Sequence, residues 1–236
     1  MPDTLDATLL STYSVTPRVK QFLLRVEGHP FDFTPGQHVS VAFETDDGKE
    51  RYRPYSPVSQ PGTDTIALAV KRYPDGACST WMHEREVGDA ISITSPSGNL
   101  GLQSLDRDVF FLSTGTGITP MVSMATQYLQ KGRGKATFLF GERTQDDLMF
   151  RETLDLYAAS HSNFTVEYVL SNEDWQGPTG YVQHNLRDHV DDASTPHFYI
   201  CGVPEMVVET KGLLFDLGVP EDHIFTEGWE EGAIAE

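Results

Sequence analysis

Residues 109–130 constrain the fold of this chain more than any other stretch. Val109-Phe110-Phe111-Leu112-Ser113 is a short apolar and β-branched run. Thr114-Gly115-Thr116-Gly117-Ile118-Thr119-Pro120 is a glycine-rich turn. Good helix formers follow, with apolar residues at Met121, Val122, Met124, Ala125, Tyr128 and Leu129. Strand, glycine turn and helix in that order make a phosphate cradle. Gly115 and Gly117 permit positive φ and close approach of a ligand to the backbone. Pro120 suits the first helical turn, and the N–H groups and dipole at that helix start favour an anion. An ordinary strand-to-helix turn has the same outline, so the rest of the chain must decide.

The 236 residues allow one large domain or two small ones, and 39% are hydrophobic, enough for a real core. No apolar run approaches the roughly 18 residues of a membrane span. The N-terminus has no basic region followed by an apolar block, so no signal peptide is expected and the compartment is read as cytoplasmic. Cys78 and Cys201, the only two cysteines, form no CxxC, which excludes a four-cysteine iron–sulfur or zinc centre within the chain. The histidines show no HExxH or clustered pair, and no metal site is expected. The net charge of −18 argues against nucleic acid, whose phosphates it would repel. That charge suits a host with high internal salt or an ordinary acidic cytosolic protein equally well.

Residues 7–100 read as β-rich, with strands over Ala7–Thr16, Val19–Val26, His38–Phe43, Thr65–Lys71 and Ala90–Thr94 between Gly/Pro/Asp turns. This spacing predicts an antiparallel barrel or sandwich, interrupted by a helix over Ser79–Arg85. After Asp106 the rhythm changes. Strands at Val109–Ser113, Ala136–Phe140, Thr165–Leu170 and His197–Cys201 alternate with helices at Met121–Gln130, Asp146–Ala159, near Gln183, and at Pro204–Leu217, and a short strand Ile224–Thr226 closes the series. Alternating β and α implies an α/β doubly wound parallel sheet. The expected domains are 1–104 and 105–236, with the boundary near residues 103–107.

Three further segments carry chemistry. Cys201-Gly202-Val203-Pro204-Glu205-Met206 leaves the carboxyl end of its strand, as Thr114–Pro120 does; if those strands are neighbours, both loops line one crevice. In Arg51-Tyr52-Arg53-Pro54-Tyr55-Ser56-Pro57, Arg53 offers a planar fork for phosphate, Tyr55 a flat face for stacking and Ser56 a small hydroxyl for a ring nitrogen. A strand would put Arg53 and Tyr55 on one face and Ser56 on the other, unless the chain bends at Pro57. In Val70-Lys71-Arg72-Tyr73-Pro74-Asp75-Gly76-Ala77-Cys78-Ser79-Thr80, a glycine turn opens a helix, a second candidate anion site. Two phosphate cradles in two domains suggest two dinucleotides.

Taken in order, these motifs resemble the ferredoxin–NADP reductase superfamily in its flavodoxin-reductase and oxygenase-reductase branches. Arg53-Pro54-Tyr55-Ser56 matches the RxYS flavin motif, Gly76–Thr80 the GxxST flavin-phosphate motif, Gly115–Pro120 the nicotinamide-dinucleotide loop, and Cys201-Gly202 through Met206 the CGxxxM element. The resemblance covers nearly the whole chain. It implies FAD in the barrel, NAD(P)H in the α/β domain, and an FAD-dependent NAD(P)H oxidoreductase without an iron–sulfur domain. By carry-over, Arg53 binds the FAD pyrophosphate, Tyr55 lies against the isoalloxazine and Ser56 bonds near N5. His38 stands where relatives often have a flavin-contacting aromatic. Val70, Lys71 and Arg72 flank the flavin, while Gly76, Cys78, Ser79 and Thr80 hold its phosphates. Thr114 and Cys201 border the nicotinamide, Glu227 positions it or relays a proton, and Trp229 covers the flavin until nicotinamide displaces it. Ser56, Cys201 and Glu227 are the expected catalytic residues.

Ser171 is followed by Asn172, Glu173 and Asp174 rather than by the arginine of NADPH-preferring relatives, so NADH is favoured, with Arg143 the one nearby candidate for a 2′-phosphate. The expected partner is a separate acceptor protein such as ferredoxin, flavodoxin or an oxygenase component, served by a monomer. A free-flavin or ferric reductase and a non-catalytic FAD-binding subunit are the alternatives.

Overall fold

The computed structural model describes residues 3–45 and 47–228. The chain divides into two units, residues 1–101 and 102–236.

The first unit holds β1 (Thr4–Thr16), β2 (Val19–Arg25), β3 (Val39–Glu44), β4 (Glu50–Tyr55), β5 (Thr65–Lys71), α1 (Ala77–His83) and β6 (Ala90–Thr94). Its six strands form one antiparallel sheet in the order β4-β3-β6-β1-β2-β5. Strand alternation sends Leu9, Phe22, Leu24, Val39, Val41, Ile66, Leu68, Ile91 and Ile93 into a single core. The two edges are drawn together beyond β4. The Val58 N–H donates to the Ala67 carbonyl at 2.9 Å, and the Ala67 N–H to Ser59 Oγ at 3.0 Å. The sheet therefore curls as a barrel, as expected. Helix α1 starts and ends two residues earlier than the expected Ser79–Arg85 span, and Lys20 Nζ caps its end by donating to the His83 carbonyl at 3.1 Å.

The second unit holds β7 (Val109–Thr114), α2 (Ile118–Lys131), β8 (Ala136–Glu142), α3 (Arg151–Ser160), β9 (Phe164–Leu170), α4 (Val182–Asn185), β10 (His197–Cys201), α5 (Pro204–Asp216) and β11 (Ile224–Phe225). The strands form a parallel sheet ordered β11-β10-β7-β8-β9. The chain runs outward from β7 through β8 to β9, then returns to place β10 on the other side of β7. Strand order therefore reverses between β7 and β10. Phe110, Leu112, Phe198 and Ile200 share a core with Val182, Leu186, Met206 and Val207 of α4, the turn after it and α5. Phe111 stacks with Tyr199 and meets Phe138 on the opposite face. Helices on both faces explain why these strands are apolar throughout.

One expected helix is corrected. Residues 145–147 form a 3₁₀ turn, Phe150 is left-handed at φ 55°, and α3 begins only at Arg151. Thr144 Oγ1 donates to the Asp147 carboxylate at 3.0 Å, a local bond that competes with the helix, while Leu148 and Met149 plug the core. Asp146 and Asp147 therefore precede the helix, and Glu152 is the acid in its first turn.

His197, at the amino end of β10, is buried beside His223, with ring centroids 5.0 Å apart, and Arg107 Nη1 donates to His223 Nε2 at 3.1 Å. Burial, then the neighbouring His223 and Arg107, push the His197 imidazole down to about 4. The folded protein thus holds His197 neutral where the unfolded chain binds a proton below about pH 6.5. Stability from this group is present above that pH and is lost as pH falls toward 4, by about 3 kcal/mol at most. His197→Gln should flatten the fall in melting temperature between about pH 7 and pH 4.

Candidate functional site

In the first unit, register places Arg53 opposite Val41 and Tyr55 opposite Val39, so both lie on the face that is core along β3. Arg53 is nevertheless exposed, because β4 is an edge strand. The strand ends at Tyr55; Ser56 lies past it and is buried. His38 is fixed by a two-way backbone bridge to Ser97, with bonds of 2.9 and 2.8 Å. Gly98, at φ 106°, fits against its ring; a Cβ there would lie 2.9 Å from His38 Nδ1.

Tyr55 Oη donates to Cys78 Sγ at 3.5 Å, which brings the RxYS segment to the start of α1. Burial raises both the Tyr55 hydroxyl and the Cys78 thiol above their usual ranges, so both stay neutral. Ser79 shapes the turn: its Oγ donates to the Gly76 carbonyl at 3.0 Å and accepts the Tyr73 N–H at 3.2 Å. A Cβ on Gly76 would collide with that oxygen. The Thr80 N–H is the first to bond back, to the Gly76 carbonyl at 2.9 Å, so the N–H groups of residues 77–79 have no helical acceptor. Val70 is buried, Lys71 lies opposite Val19, and the Arg72 N–H donates to the Arg18 carbonyl at 2.8 Å. A cavity of about 660 Å³ adjoins the turn, lined by Pro74, Gly76, Thr80, Trp81 and the acids Glu44 and Glu84 among others.

In the second unit, the condition set by the sequence is met: β7 and β10 are parallel neighbours, with Ser113 opposite Cys201. Their loops are packed without slack. A Cβ on Gly117 would lie 2.5 Å from the Cys201 carbonyl carbon and 2.6 Å from the Gly202 nitrogen. One on Gly202 would lie 2.6 Å from Met206 Cε and 2.9 Å from the Thr114 nitrogen. Gly115 is different: its φ is 57° and a Cβ would meet open space, so conformation alone selects glycine there. Thr114 Oγ1 accepts the Val203 N–H at 3.1 Å, and Thr119 Oγ1 donates to the Thr116 carbonyl at 3.0 Å. Ile118, Thr119, Pro120, Cys201 and Met206 are buried; Thr116 and Gly202 are half-buried at the edge of the crevice. β11 pairs with β10 at Tyr199–Phe225, and Glu227, two residues past the end of β11, is exposed. Trp229 lies outside the described residues.

The carboxyl edge continues past β8 and β9, where Arg143 is exposed and its carbonyl accepts the Asn172 N–H at 2.9 Å. The Glu173 carboxylate takes two bonds from Gln145, from the backbone N–H at 2.7 Å and the side-chain amide at 2.6 Å. Those bonds, the backbone one first, hold Glu173 below the usual carboxylate range. Gln145 and Trp175 line a cavity of about 490 Å³ beside it with Arg151, Gln176 and Gly177. Glu173 is legible in the sequence and its partner Gln145 is not, because the two lie in loops after different strands, 28 residues apart.

A flavin-motif strand and anion turn on one antiparallel sheet, and a glycine loop at the reversal of a parallel sheet, define a two-cofactor oxidoreductase. Residues 6–101 match the model for an oxidoreductase FAD-binding domain, and residues 111–211 that for an oxidoreductase NAD-binding domain. The chain is 32% identical over 217 residues to NADH-cytochrome b5 reductase 1 of Dictyostelium discoideum, covering 89% of this chain and 76% of that one. It is 30% identical over 238 residues to ferredoxin–NADP reductase B of Sorangium cellulosum, covering 95% and 97%. The solved CS-b5R domains of human Ncb5or superpose with a TM-score of 0.87 at 27% identity, over 96% of this chain and 70% of that one. The chain belongs to the ferredoxin–NADP reductase superfamily and is an FAD-dependent NAD(P)H oxidoreductase. Among the described residues no helix is long and apolar enough to cross a membrane, and no group of three or more His, Cys, Asp or Glu is set to hold a metal ion.

Proposed function

We propose that this chain is an NADH-consuming reductase that delivers electrons to a separate protein acceptor. When bound, nicotinamide supplies a hydride to the flavin, which releases electrons singly or in pairs. Arg53 holds the FAD pyrophosphate together with the N–H groups of residues 77–79. Tyr55, kept neutral by burial, supplies a flat apolar face to the flavin ring, with Ser56 and His38 at its rim. The Gly115–Gly117 turn takes the nicotinamide dinucleotide's phosphates. Thr114, Cys201 and Glu227 border the nicotinamide, with Cys201 a buried wall that excludes water and Glu227 an exposed carboxylate that positions the ring or relays a proton. Lys71 and Arg72 flank the flavin.

The observation that carries the NADH reading is the Glu173 carboxylate, fixed in charged form by Gln145 at the sheet edge. A fixed carboxylate accepts ribose hydroxyls and opposes a 2′-phosphate. The adjoining cavity is of a size for adenosine. Anaerobic stopped-flow mixing of the FAD-loaded protein should show rapid loss of the flavin band with NADH and a much slower loss with NADPH. Glu173→Gln should raise the NADPH-to-NADH ratio of kcat/KM at least about tenfold. An unchanged ratio would move the determinant elsewhere, to Arg143 first. A wild-type protein that neither nucleotide bleaches would point to the FAD-binding-subunit alternative.

The acceptor is a ferredoxin, flavodoxin or oxygenase component; relatives named for ferredoxin and for a dioxygenase support two of these, and the NADH-cytochrome b5 reductases add cytochrome b5. With a charge of −18, an acidic acceptor meets repulsion that salt screens, so its reduction rate should rise with KCl. Turnover with free flavin or ferric chelate, unaccelerated by any such protein, would favour the small-molecule alternative.

A further inference from the structure

Strand alternation places Thr114 on the same face of the sheet as Phe110 and Leu112, the face covered by α5. Its Oγ1 accepts the N–H of Val203, the residue that caps the start of α5, at 3.1 Å across 89 residues of sequence. The packing around that bond has no slack. Gly202 approaches so closely that a Cβ would strike Thr114 Oγ1, and Gly117 abuts the Cys201 carbonyl in the same way. Thr114 Cγ2 completes the seat on the other side, 3.2 Å from where a Cβ on Gly141 would stand. The Thr114 hydroxyl thus ties together, side chain to backbone, the two loops that would border the nicotinamide.

We propose that Thr114 is a positioning residue: its hydroxyl latches the start of α5 to the end of β7 and so sets the width of the crevice between the glycine turn and the Cys201–Met206 loop. The consequence for turnover rests on the reading that nicotinamide enters this crevice; the latch itself does not. Loss of the oxygen leaves the Val203 N–H without its acceptor and lets the Cys201 carbonyl move away from Gly117. The nucleotide then binds in a wider, less defined slot, while the FAD-binding unit keeps every bond described above.

The test compares Thr114→Val, which keeps the shape and removes the acceptor, with Thr114→Ser, which keeps the acceptor. In the FAD-loaded, nucleotide-free protein, hydrogen exchange at the Val203 amide should speed about tenfold in T114V and stay at the wild-type rate in T114S. The KM for NADH should rise about tenfold in T114V with kcat within about twofold, and T114S should restore it. An unchanged Val203 exchange rate in T114V would overturn the latch. Faster exchange with an unchanged KM would overturn its role in shaping the nucleotide slot. If wild-type protein does not oxidise NADH, the functional reading fails, and exchange still decides the latch. Thr114→Ala removes the same oxygen with less bulk if valine prevents folding.

Discussion

Replacing Gly117 by valine should leave a yellow protein that NADH no longer reduces. The reason is steric. A Cβ at this position meets the Cys201 carbonyl carbon at 2.5 Å and the Gly202 nitrogen at 2.6 Å, both backbone atoms that cannot rotate away. The two loops must separate, and the turn that would receive the dinucleotide loses its shape. A misplacement of about 1 Å at a positioning element costs about a hundredfold in rate. The expected result is therefore flavin reduction slowed at least about a hundredfold in stopped flow, with bound FAD and its visible spectrum as in the wild type. Gly115→Ala is the matched control. It lies two residues away in the same motif, but its added Cβ meets open space and its cost is the left-handed backbone alone, about 1–2 kcal/mol. It should lower the melting temperature and slow reduction far less. Equal losses in the two variants would refute the steric explanation.

Arg53→Ala should produce a folded protein that is nearly colourless after purification. Arg53 is exposed on the edge strand, so its removal costs the fold little. Its proposed task is a two-pronged contact with pyrophosphate, and each charge-assisted hydrogen bond is worth about 1.5–3 kcal/mol. FAD affinity should fall at least about a hundredfold, measured by recovery of flavin fluorescence on titration. Arg53→Lys keeps the charge and loses the fork, so it should fall between the two. Full FAD retention in Arg53→Ala would remove this residue from the flavin site.

Some of the site was legible locally, for physical reasons. Glycine at 115 is readable because positive φ is a property of one residue, and the turn Gly76–Thr80 because a helix start is. Tyr55 and Cys78 were named separately, but their 3.5 Å contact was not foreseeable, since it depends on how β4 and α1 meet. Strand parity set Ser56 against Arg53 and Tyr55, and the strand ends at Tyr55, one residue before Ser56. The helix expected over Asp146–Ala159 starts late, at Arg151, because a Thr144–Asp147 side-chain bond and the burial of Leu148 and Met149 outweighed helix propensity over its first residues.

By itself, the sequence determined the two element rhythms, the two glycine turns proposed as anion sites and the Glu173-Asp174 pair after Ser171, because each is written in neighbouring residues. Only the tertiary structure decided that β10 returns beside β7, and with it that Gly117 faces Cys201, Thr114 holds Val203 and Gln145 holds Glu173. Strand order is set by the total burial of both faces of the sheet, a sum over the whole unit that no local window contains.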